Sequence, residues 1–169
     1  MARICDDLRA HTPRIVELWE RAIELEPWIL PRQLAKPDFM PELIDGIATC
    51  SVCTPPTRES VSALAQMAAR HAAGRALEGA EHGRVLHEYY FARSAIWSYF
   101  GERQEETTAD DLQTILYVDV AVSLATRAAL LGYYRVEFER QGTWSGALDR
   151  LVDETPLLWE ADRRRGAGA

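Results

Sequence analysis

Along most of the chain the apolar residues recur at the 3.6-residue helical period, and the alternation expected of strands is nearly absent. Val61, Leu64 and Ala68 step by three and four residues. Leu86, Tyr89, Ile96 and Phe100 form a second stripe, and Leu112, Ile115, Val122, Thr126 and Tyr133 a third. This patterning predicts an all-α protein, a helical bundle of about six helices.

The punctuation divides the chain accordingly. Thr12 before Pro13 reads as an N-cap with proline in the first turn, opening a helix to about Glu26. The segment "EPWILPRQLAKPDFMP" carries four prolines and is expected to be an irregular connection. A second helix runs from Pro41 to about Cys53, stopped by "TPPT". A third opens at Thr57 or Arg58 and ends near Gly79, and a fourth spans about Glu81 to Phe100. "TADD" at 108–111 resembles a capping box opening a long fifth helix to Gln141, before Gly142. A shorter helix is expected around Ser145–Asp153, and Thr155–Pro156 marks a further turn. Residues 1–165 read as one domain, with 166–169 as a frayed tail or linker stub.

The stripes contain unexpected members. Extending the third helix's stripe reaches His71 and then Arg75. The middle of the fourth helix's stripe is Arg93, and the missing member on the fifth is Asp119. A buried unpaired charge costs several kcal/mol, so inward-facing groups of this kind find partners. The simplest arrangement pairs Arg93 or Arg75 with Asp119 or Glu88 across helices, with His71 beside them. The plainer alternative leaves His71 and Arg75 at a stripe's edge, reaching to water.

"HAAGRALEG" followed by "LHEYYFAR" resembles the H-x3-R-x3-G…E-Y-x3-R pattern of the RsbRD-type N-terminal domain. That domain occurs in RsbT co-antagonists of the bacterial stressosome and at the front of some sensor histidine kinases. His71, Arg75, Gly79, Glu88, Tyr89 and Arg93 fall on the pattern, and Trp19 and Asp119 are similarly placed. The likeness extends over about residues 12–140. It implies a globin-like sensory or regulatory domain, dimeric, that passes a signal to an output domain or protein partner. The sequence shows no output domain after the bundle, which is a departure from the family's pattern.

Length and composition agree with a globular domain. The chain has 169 residues, 47% apolar and 27% charged, with a net charge of −7. Lys36 is the only lysine. Acidity disfavours nucleic acid and anionic membrane as partners. No uninterrupted apolar run is expected to span a bilayer, the N-terminus lacks a signal-peptide pattern, and a cytoplasmic location is expected. Three cysteines, Cys5, Cys50 and Cys53, suit a reducing compartment.

Other chemistries have weaker signatures. Haem is the main cofactor alternative, with His71, His82 or His87 as ligand, although no c-type attachment motif is present. Cys50 and Cys53 have the C-x-x-C spacing of zinc or redox sites but no second ligand pair, so two small buried thiols are the simpler reading. A di-metal carboxylate bundle needs E-x-x-H on two helices, whereas "HEYY" reverses the order and Glu78 precedes His82 by four. Catalytic motifs of the G-x-S-x-G, phosphate-loop and H-E-x-x-H kinds do not occur. The expectation is a regulatory domain that is not an enzyme and has no resident cofactor. The apolar positions on several faces of the fifth helix, about Thr108–Gln141, further suggest a homodimer.

Overall fold

The computed structural model describes residues 2–31, 35, 37–51, 56–104 and 108–158. The 166–169 tail and Cys53 therefore lie outside the described residues. Within them the protein is an all-α bundle of eight α-helices and one 3-10 turn. The helices are α1 (Ala2–Ala10), α2 (Thr12–Leu25), α3 (Met40–Cys50), α4 (Arg58–Leu77), α5 (His82–Glu102), α6 (Ala109–Tyr133), α7 (Arg135–Arg140) and α8 (Trp144–Asp153).

Two departures raise the number above six. α1 precedes the first expected helix; its Ile4 and Leu8, spaced one turn apart, are both buried. Thr12 is not the N-cap of α2, because its hydroxyl donates back to the Leu8 and Arg9 carbonyls and closes the step between α1 and α2. The long fifth helix also breaks, at Tyr134, instead of reaching Gln141. Its buried face ends there: no residue of α7 is buried, so no packing holds α7 in line with α6.

The other boundaries follow the expected punctuation. Asp111 accepts from the Thr108 backbone N–H at 2.9 Å at the start of α6, and Thr57 and Ser60 cap α4 reciprocally. Gly79 and Gly142 have φ of +81° and +68°, the left-handed C-terminal geometry that glycine adopts without strain.

α4 packs most extensively on α6, and both bury small residues: Ala65, Ala68, Ala69 and Ala72 on one, Ala121, Ala125, Ala128 and Ala129 on the other. They approach so closely that a Cβ at Gly132 would lie 2.1 Å from the Ala69 carbonyl oxygen. α2 and α5 pack together on one flank, α1 and α3 on another, and α8 closes against α4 and α6.

Thr114–Tyr133 is long and apolar enough to cross a membrane by length and hydropathy alone. Here it forms most of the bundle's central helix, with 56% of the stretch buried. It includes Asp119 and Arg127, which pair with Arg93 and Glu154.

Candidate functional site

The chain turns back after Gly79, with the Ala80 N–H donating to the Arg75 carbonyl at 3.0 Å, and α5 brings Glu88 against α4. His71 and Arg75 stand one turn apart on α4, so both reach the same carboxylate. Arg75 donates to Glu88 Oε1 through Nη2 at 2.7 Å and Nε at 3.2 Å. His71 Nε2 lies 3.1 Å from Glu88 Oε2.

The Glu88 side chain is 0% exposed and that of Arg75 is 8% exposed. Each therefore depends on the other for the interactions that water no longer supplies. Arg75 also reaches Glu78 at 2.8 Å, at the solvent edge of the cluster. Burial opposes the charge on Arg75, but the bonds to Glu88 and Glu78 more than offset it, and the guanidinium titrates above its ordinary range.

Other elements enclose this core. The imidazole of His71 stacks on Phe39, with ring centroids 4.3 Å apart and planes 19° from parallel. Phe39 ends the 3-10 turn Pro37–Phe39, so the proline-rich connection contributes a wall of the site. Trp19 on α2 donates its indole N–H to the Glu88 backbone carbonyl at 3.1 Å. Tyr89 lies edge-on to His71 and donates to the Ala68 carbonyl at 3.4 Å, and burial holds its phenol protonated well above the usual range.

The five expected network residues thus fall into two constellations. Arg93 forms the second with Asp119, through Nε to Oδ1 at 2.7 Å and Nη2 to Oδ2 at 2.8 Å. Trp97 donates its indole N–H to the same Oδ1 at 2.8 Å. Burial raises the Asp119 carboxyl pKa, while the bonds from Arg93 and Trp97 more than reverse that, leaving it below its ordinary value.

Arg93 is not the core member of its stripe that spacing suggested: its side chain is 52% exposed. The buried line on α5 runs through Val85, Glu88, Ala92, Ala95 and Tyr99, which rotates Arg93 to the edge. On α6, Val118 is buried where Asp119 was expected, and Leu112 is exposed.

The remaining candidate ligands are dispersed. His82 opens α5 on the surface near the rings of Tyr133 and Tyr134. His87 is part-buried, and its Nδ1 finds no hydrogen-bond partner among the described residues. Cys50 is buried at the end of α3 and donates to the Ser60 carbonyl at 3.0 Å, and burial pushes its thiol up to about 12. That thiol is protonated at neutral pH and correspondingly unreactive.

Sequence spacing found His71, Arg75 and Glu88 but missed Phe39 and Glu78. Glu78 is one turn from Arg75, a signal that was present. Phe39 sits in a segment with no periodicity, where no pattern marks an inward ring.

Fold and site together define a helical bundle built around a buried histidine–arginine–glutamate cluster. Compared with protein-family models, with characterised proteins and with solved structures, the chain matches none.

Proposed function

We propose that this is a non-catalytic regulatory domain that acts through the packing of α4 against α5 and the Phe39 connection. The class is the one suggested by the resemblance of its H-x3-R…E-Y-x3-R residues to stressosome and histidine-kinase N-terminal domains. The observation that carries the reading is the convergence of His71 and Arg75 on the fully buried Glu88. A requirement for stability alone is met as well by apolar packing, since buried ion pairs are often no more stabilising than hydrophobic side chains of similar volume. A cluster that joins two helices and a loop provides alternative arrangements whose balance a ligand, a partner or a change in charge can shift.

The test is His71→Gln, which keeps a donor toward Glu88 but removes the titratable ring and its stack on Phe39. Thermal melting and amide hydrogen exchange are measured on the same protein. The regulatory reading expects a folded variant in which exchange quickens selectively at 37–50 and in the C-terminal half of α4. Uniform destabilisation of the whole bundle, without that local signature, makes the cluster a purely structural element and sinks the proposal.

A further inference from the structure

A cleft of about 290 Å³ opens between α4, α7 and α8 and shares no residue with the Glu88 cluster. Its charged lining comes from three helices: Arg70 from α4, Arg135 from α7 and Asp149 from α8. Ala69 and Leu148 supply apolar surface. Trp144 forms a wall on which the Arg135 guanidinium rests, 5.6 Å from the ring centroid. That contact holds the arginine at the cleft while its charge stays in water.

We infer that this cleft binds a small amino dicarboxylate, an acidic amino acid of the glutamate or aspartate kind. Three observations select that chemistry. The first is the charge pattern. Two guanidiniums and one carboxylate line the cleft, the inverse of a ligand with two carboxylates and one ammonium. A simple anion such as phosphate uses the arginines but meets Asp149, and a simple amine uses Asp149 but meets two arginines.

The second is that these charges are weakly engaged. Arg70 approaches Glu42 at 3.6 Å, beyond hydrogen-bond length, with both side chains about two-thirds exposed. Arg58 reaches Asp149 at 3.6 Å but holds Asp153 more closely, at 2.9 Å. Arg135 pairs with Glu139 one turn along the same helix, and both side chains are 46% exposed. Exposed pairs of this kind contribute little, so exchanging them for a ligand's charges costs little.

The third is size. At about 30 Å³ per water-sized unit, the cleft holds on the order of ten non-hydrogen atoms. That is the size of an acidic amino acid and too small for a nucleotide. The apolar surface of Trp144 and Leu148 suits the methylene stem between the two carboxylates. The assignment does not rest on the regulatory reading of the Glu88 cluster.

Titration of the full chain with L-glutamate and L-aspartate tests it, read by calorimetry and by backbone amide and indole N–H resonances. A Kd of about 0.1–1 mM is expected for at least one of the two, since a ligand of this size in an open cleft makes few contacts. The shifted resonances should centre on Ala69, Arg135 and Trp144. Arg70→Gln and Arg135→Gln should each weaken binding about tenfold, with the melting temperature close to the parent's. Glutarate, which lacks the ammonium, should bind about tenfold more weakly than glutamate, and Asp149→Asn should erase that difference. Arg84→Gln, outside the cleft, should leave binding unchanged. No binding of either amino acid at about 10 mM overturns the assignment. So does binding that both cleft arginine variants leave intact, or a preference for glutamate over glutarate that Asp149→Asn preserves. Inorganic phosphate or glutarate binding as tightly as glutamate also overturns it.

Discussion

Among the arginine–carboxylate pairs that link helices in this bundle, Arg75–Glu88 and Arg93–Asp119 contrast in a way that separates geometry from consequence. Arg93 meets Asp119 with one nitrogen to each oxygen, the better fork, yet its side chain is half exposed. Arg75 places two nitrogens on a single oxygen of Glu88, a less regular contact, but neither partner has water to replace the other. Bond lengths alone rank Arg93–Asp119 first, at 2.7 and 2.8 Å against 2.7 and 3.2 Å. Burial ranks them differently, because an exposed pair falls back on solvent when broken, whereas a buried one strands a charge.

The largest expected effect follows from that difference. Arg75→Ala should cost about 3–5 kcal/mol in denaturant unfolding by stranding Glu88. Arg93→Ala should cost less than about 1 kcal/mol, despite its better geometry. The stripe reading alone assigns Arg93 a core-sized loss, and its exposure reduces that. Equal losses from the two substitutions would break the comparison.

Salt sharpens it with a smaller effect. Raising ionic strength from about 0.1 to 1 M shortens the Debye length from about 10 to 3 Å. A double-mutant cycle on Arg93 and Asp119 should lose most of its coupling over that range. The Arg75–Glu88 cycle should keep most of its own, and parallel declines in both would show that water reaches Glu88.

The smallest effect is in pH. The Asp119 pKa lies below its ordinary value in the folded protein, so its contribution is fully present above the unfolded carboxylate's pKa of about 4. It is lost as pH falls through the folded value. Asp119→Asn should therefore lower stability slightly at neutral pH and flatten the acid limb, the variant and its parent converging as pH falls through the folded value. An unaltered acid limb would mean that the pair holds no differential charge stabilisation.

The same two pairs show what was legible in the sequence. On α4 the apolar step from Val61 and Leu64 through Ala68 extended to His71 and Arg75, which do converge on Glu88. On α5 the reading slipped by one position, from Ala92 to Arg93. Alanine contributes so little apolar weight that a stripe running through it looks like a gap, and the nearest conspicuous residue is taken to fill it. On α6, Val118 and Asp119 are adjacent in the same way. The helix starts and stops at Thr57, Gly79, Thr108 and Gly142 were readable because capping depends on local residues. Phe39 was not, since its position is set by where the proline-rich connection crosses α4.

Gly132 imposes a limit of another kind. Where α6 crosses α4 the two backbones meet with no side chain between them. Most contacts in a protein interior tolerate change by altering a rotamer or exchanging one shape for another, but this one has nothing to rearrange. Every other amino acid adds at least the one carbon for which there is no room, so the position accepts a single letter of the alphabet. The spacing of the bundle's two central helices is thus written in the absence of an atom.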